Sequence, residues 1–356
     1  MEVAQAAAKG ITEVYPDCQV IAVNVADGGE GTVEAIVEAL GGEIVTTRVS
    51  NPLGREIEAR YGVAGDTAII EMAAASGLPL LAVEERNPWA TSTLGTGEMI
   101  MDAIARGCRK FLVGIGGSAT NDAGTGMLQA MGFRFYDVNN QLIDNCCGGR
   151  MQDIARIDDA HVPDAVRQSV FTVACDVDTP FCGPDGAAPV FAPQKGADAE
   201  MVGRLDAGMA SLAKVIAEKY ALDVVPVAGA GAAGGMGGAF YAFLGATLKK
   251  GIDMVLDAID FDTTIQGADL VVTGEGKVDF QTAKGKTAAG VLARAKQQHI
   301  PVIAIGGCVE MCDSLQQMGF AGIYPILEEK VPLEVAMQRD FAMSNVTKTI
   351  ARVLKL

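Results

Sequence analysis

Apolar residues along this chain recur with two periods, and the period changes twice. Val3, Ala6, Ala7 and Ile11 sit at helical spacing. Residues 18–25 alternate, with Val20, Ala22 and Asn24, and read as a strand running into the loop ADGGEGT at 26–32. Residues 33–40 return to helical spacing and stop at Gly41-Gly42. From Glu43 the pattern becomes alternating segments at 44–49, 56–63 and 67–72. Turn residues at 51–54 and 65–66 separate them, so an antiparallel meander is expected. A helix over 91–107 leads to the apolar run Phe111-Leu112-Val113, a buried strand broken by Gly114. Helical spacing resumes through Met127, Leu128 and Met131. Another strand is expected at 170–174. The last third alternates strand and helix: strands at 269–273, 301–305 and 321–326, and a helix at 288–297.

This order predicts an α/β protein of two domains. Residues 1–43 with 251–356 form a discontinuous αβ domain, and residues 44–250 an inserted mixed-sheet α/β domain. At 356 residues the chain is long enough for both. Abundant glycine (43 residues) with few aromatics suits αβ crossovers rather than an all-β sandwich. A net charge of −16 excludes a general nucleic-acid binder, so any anion must be handled by local loops and metals. Eight scattered cysteines without a C-x-x-C suggest a reducing cytoplasm. No signal peptide is evident and no apolar run approaches a membrane span.

The chemistry concentrates in the connecting loops. Between the 111–113 strand and the next helix lie Gly116, Gly117, Ser118, Thr120, Asn121 and Asp122. Backbone N–H groups of such a loop can approach an anion, and the three polar side chains can donate to it. Asp122 cannot donate; it can cap the helix or hold a metal. Asp27 sits in the glycine loop after the 18–25 strand, where αβ proteins bind ligands. Asp176 and Asp178 are two apart at a strand end, on one side of an extended chain, and suit a divalent cation or a base beside it. Lys195 lies in a Pro/Gly loop, where a solvated surface position is the simpler expectation. Gly229, Gly231 and Gly234 spell G-x-G-x-x-G but lack the second strand and acidic partner of a dinucleotide site. A backbone cradle or close helix packing is expected there instead. Gly285-Lys286-Thr287 lacks the leading glycine of a Walker A loop, because position 280 is Phe280. His161 and His299 touch no motif, so a general base would be a carboxylate.

Taken together, ADGGEGT, IEMAAASGL (70–78), GIGGSATND (114–122), ACDVDTP (174–180), PQKGA (193–197), GAGAAGGMGG (229–238) and TGEGKVDFQT (273–282) resemble the successive motifs of the type I glycerate kinases. The resemblance implies transfer of phosphate from ATP, with Mg²⁺, to D-glycerate. It also implies a flavodoxin-like three-layer domain made from both chain ends and a site in the cleft between the domains. Ser118, Thr120 and Asn121 with Gly116-Gly117 would hold an anionic group. Asp176 and Asp178 would ligate Mg²⁺ or take the hydroxyl proton, and Lys195 would neutralise phosphate charge. Glu275, Asp279 and Gln281, with Asp27, would face the site from the other domain. A non-catalytic anion-binding protein and a nicotinamide oxidoreductase are the alternatives. Either the 2- or the 3-hydroxyl is the expected acceptor, and a homodimer is one expectation. Family members usually begin with a strand and a loop of the type APDSFKGSLSA, which precede nothing here. On that ground lower stability, edge association and weak activity are expected, with a restored strand raising melting temperature and turnover.

Overall fold

The computed structural model describes residues 2–26, 31–284, 286–327, 329 and 331–355. Contacts divide it into two units, Met1–Asp27 with Val255–Leu356, and Gly28–Met254. The helix Thr32–Leu40 therefore groups with the middle of the chain, not with its ends. It lies on the meander so closely that a Cβ on Gly62 would come 2.2 Å from Val37 Cγ2. Val33 N–H also donates to Glu71 Oε1 at 3.2 Å.

The larger unit is built on strands β1 (Glu43–Ser50), β2 (Glu56–Ala64), β3 (Thr67–Glu71), β4 (Lys110–Gly114), β5 (Arg134–Tyr136), β6 (Leu142–Ile143), β7 (Arg156–Asp158), β8 (Val170–Ala174) and β9 (Thr247–Lys249). The main sheet runs β1-β2-β3-β4-β8-β9. The expected meander is its antiparallel half; β3, β4, β8 and β9 are parallel. A small antiparallel sheet, β6-β5-β7, stands apart.

Register explains the core. Phe111 pairs with Phe171 and Val113 with Val173 across β4 and β8. All four are buried, and the two phenyl rings stack at 4.7 Å. Parallel strands with both faces covered carry such continuous apolar runs. The helix Leu94–Ala105 packs against Thr125–Ala130 at Gly97, where a Cβ would meet Met127 O at 2.4 Å and Ala130 Cβ at 2.7 Å.

The smaller unit holds a parallel sheet of β10 (Val271–Val278), β11 (Val302–Val309) and β12 (Gly322–Pro325), in that order. Val302 to Ile305 are all buried, so both faces of β11 are covered. Helices Glu2–Val14 and Arg339–Val353 share a cluster with Ile305 through Ala6, Ala7, Val346 and Ile350, while Thr287–Gln297 packs on β10 and β11.

Two sequence expectations need correction here. Residues 18–26 form no strand; Ile21 is 58 % exposed, and Cys18 N–H closes a turn on Tyr15 C=O at 3.1 Å. Alternation alone makes no strand without a ladder partner and a buried face. Conversely, β10 and β11 extend past their expected ends through Gly274, Gly276, Gly306 and Gly307. The glycines do not break the ladder because the backbones meet over them. A Cβ on Gly307 would lie 2.7 Å from Gly276 O.

No helix among the described residues is long and apolar enough to cross a membrane. All eight cysteines are free thiols.

Gly97→Ala tests the close helix approach. Alanine is the better helix former, yet here it should destabilise by roughly 1–3 kcal/mol through overpacking. Denaturant unfolding of both proteins measures the sign; a more stable variant would mean that the two helices can separate without cost.

Candidate functional site

The loop after β4 is held on three sides by backbone bonds. Leu78 N–H donates to Gly117 C=O at 2.9 Å and Ala119 N–H to Ser76 C=O at 2.8 Å. Gly234 C=O accepts from Ala123 N–H at 3.0 Å. Gly116 and Gly117 stay exposed, whereas Ser118, Thr120, Asn121 and Asp122 are buried.

Asp122 is fully enclosed. It accepts from Thr93 N–H and Thr93 Oγ1–H, both at 2.8 Å, and from Gly124 and Gly126 N–H, both at 3.2 Å. Burial pushes its carboxyl above the usual range against the pull of these donors. Through the Gly124 and Gly126 bonds Asp122 caps the short helix Thr125–Ala130. Thr93 also accepts from Met127 N–H at 2.9 Å. Thr93 was missed in the sequence; the Thr91-Ser92-Thr93 run before a helix was its one signal.

Lys195 is 1 % exposed, contrary to the surface position that a Pro/Gly loop suggests. Its short turn Pro193–Lys195 ends at Gly196, in the left-handed region at φ 98°. The ammonium donates to Ser118 Oγ and Thr120 C=O, both at 2.7 Å. Burial pushes its pKa down to about 7, with the charge of Asp122 opposing the fall. Beside it, Thr120 Oγ1 and Asn121 Oδ1 are buried with no hydrogen-bond partner among the described residues. The Asn121 amide nitrogen reaches the weak acceptor Met209 Sδ at 3.3 Å. Buried polar atoms left without partners cost about 1–3 kcal/mol each, so each needs a physical explanation.

The glycine run 229–238 backs this loop. A Cβ on Gly234 would lie 2.2 Å from Thr120 O, and one on Gly235 would lie 2.9 Å from Ala123 Cα. Ala233, Gly234 and Gly235 all have positive φ. The cradle holds protein backbone and follows no strand, so the nicotinamide reading has no loop to rest on.

Asp176 and Asp178 are exposed at the end of β8, and Asp176 Oδ1 accepts from Gly251 N–H at 3.0 Å. Among the described residues no three His, Cys, Asp or Glu side chains cluster as a complete metal site.

In the smaller unit, Glu275 accepts from Ala288 N–H and Thr282 Oγ1–H, both at 2.9 Å, and so caps the helix Thr287–Gln297. Asp279 accepts from Gln281 N–H at 2.8 Å and pairs with Lys277 at 3.2 Å. The Gln281 bond and the Lys277 charge hold its carboxyl below the usual range. Gln281 is exposed, and Asp27 lies outside the described residues.

The family model of the glycerate kinase family matches residues 1–356. The chain belongs to the glycerate kinase family. A glycerate kinase of Bacillus subtilis is 43 % identical over 360 residues, covering 100 % of this chain and 94 % of the relative. A glycerate 2-kinase of Escherichia coli K12 is 43 % identical over 358 residues, covering 98 % and 94 %. The crystal structure of a protein assigned as glycerate kinase 2 from Salmonella typhimurium LT2 superposes with a TM-score of 0.90 at 43 % identity, covering 99 % of this chain and 93 % of that one. The α/β fold read from the sequence is therefore the fold of this family.

The buried lysine of this family member carries a pH signature. An ordinary lysine titrates near 10.5 and Lys195 near 7. Between those values the unfolded chain holds a proton that the folded chain lacks, so stability rises with pH across the window, by at most about 1.4 kcal/mol per pH unit. Below pH 7 the group adds no slope. Urea unfolding from pH 6 to 9 should show this slope in the parent and not in Lys195→Met; equal slopes would mean that Lys195 keeps an ordinary pKa.

Proposed function

We propose that this chain transfers the γ-phosphate of ATP to a hydroxyl of D-glycerate, giving 2- or 3-phosphoglycerate. The observation that carries the reading is the buried Lys195 ammonium, fixed to Ser118 and Thr120 in a loop whose Gly116-Gly117 turn stays open. Phosphoryl transfer asks a protein chiefly for positioning and charge neutralisation. A desolvated cation beside an open glycine turn supplies both. The approach of an anionic phosphate or carboxylate draws a proton back onto Lys195, because an opposite charge favours the charged form.

The hydroxyl oxygen forms the new bond to phosphorus as the bond to the ADP oxygen breaks, and the hydroxyl proton passes to a carboxylate. Asp176 and Asp178 are the two candidates for that base. Their pairing also fits Mg²⁺ arriving on the nucleotide, since this ion commonly takes one or two protein carboxylates, with phosphates and water completing its shell. The ion would neutralise charge on the β- and γ-phosphates. Ser118, Thr120 and Asn121 hold the anion; the Thr120 hydroxyl is the buried donor without a partner among the described residues.

The test is turnover of D-glycerate with MgATP, followed by phosphorus NMR of the product, which also identifies the phosphorylated hydroxyl. Lys195→Met should lower kcat/KM by about 10²-fold or more, the scale of a lost electrostatic stabiliser. Asp176→Asn and Asp178→Asn should together identify the base, by a kcat loss of about 10²-fold in one of them. Wild-type kcat/KM in Lys195→Met would return that lysine to a purely structural role.

A further inference from the structure

We propose that Arg86 is the carboxylate clamp of the substrate site, which rests on the kinase reading above. The segment leading to it starts at the site itself. Gly77 bridges Ser118, Leu78 donates to Gly117, and two short turns, Leu78–Leu80 and Val83–Glu85, carry the chain to Arg86. There it meets the lysine loop: a Cβ on Gly196 would lie 2.2 Å from Arg86 O and 3.1 Å from Arg86 Cβ. Only Gly196 separates that contact from Lys195. The backbone after it is fixed too, because Asn87 Oδ1 accepts from Trp89 N–H at 3.1 Å.

Neighbouring guanidinium groups are committed. Arg55 pairs with Glu85 at 2.8 Å, and Arg204 stacks over the Trp89 ring at 4.0 Å. Arg86 differs: it is half-buried, and its Nε–H is fully buried with no acceptor among the described residues. A buried charged donor without an acceptor is costly. The planar fork of a guanidinium matches one partner best, a two-oxygen anion bound through parallel hydrogen bonds. Of the two anions in the proposed reaction, glycerate carries the planar carboxylate. Arg86 therefore takes the carboxylate, while Lys195 and the 116–121 loop face the phosphate being transferred.

Steady-state kinetics of Arg86→Met and Arg86→Lys decide this, with ATP and glycerate varied separately and glyceramide as the neutral analogue. Arg86→Met should raise KM for glycerate about 10- to 100-fold, the range of a lost hydrogen bond to a charged group. KM for ATP should stay within about threefold by the same arithmetic. Turnover of glyceramide should be unchanged, so that the preference for the acid collapses. Arg86→Lys keeps the charge without the fork and should fall between; it carries the test if Arg86→Met does not fold. A rise confined to KM for ATP, or unchanged KM for both substrates, overturns the assignment while leaving the kinase reading intact. Absence of glycerate turnover in the parent protein overturns the kinase reading first.

Discussion

A buried ammonium, Lys195, and a buried carboxyl group, Asp122, on two separate loops constrain the larger unit. Each would cost several kcal/mol if desolvated alone. The fold meets that cost with directed donors and acceptors. Asp122 collects four hydrogen bonds, and Lys195 gives two at 2.7 Å. Those bonds tie the β4 loop to the Thr93 turn, to the Thr125–Ala130 helix and to the 193–197 turn. The glycine run behind them follows from the same requirement. Backbone must approach Thr120 and Ala123 so closely that side chains at 234 and 235 are excluded. Positive φ at both positions suits glycine for a second reason.

Much of the fold was legible because it depends on period. The meander is marked by period-two alternation between turn residues, and β4 and β8 by short apolar runs ending at glycine or at Asp176. The segment 18–25 misled because alternation is a local property, whereas a strand is a pairing. Gly274 and Gly306 misled in the opposite direction. Glycine usually weakens a strand, but where two backbones meet it is the residue that lets the ladder continue.

The candidate loops were legible by residue type, and the packing of their side chains less so. The loop 116–122 could be found from its glycines and small polar residues. Asp122 could be placed there, but its four donors come partly from Thr93, 29 positions away. Lys195 shows the limit more sharply. A lysine between Gln194 and Gly196 has a solvated environment by every local measure. Its burial comes from Ser118 and Thr120, more than seventy residues earlier. Capping by a residue close in sequence, such as Asp122 on Gly124 and Gly126, can be read locally; the desolvation of a charge is a property of everything packed around it.

Net charge and site charge act on different length scales. A chain at −16 repels phosphates and carboxylates from a distance. At physiological salt that field decays over about 8 Å. Within the loop the surroundings are protein, and an ammonium held by Ser118 and Thr120 acts through a lower effective dielectric than water. A single buried cation can then outweigh many exposed carboxylates at the contact distance. The same cation, already forced toward neutrality when alone, regains its charge most readily when an anion arrives. On the proposed reading, burial makes the charge of Lys195 responsive to what binds beside it, because desolvation lowers its pKa and an anion would raise it again.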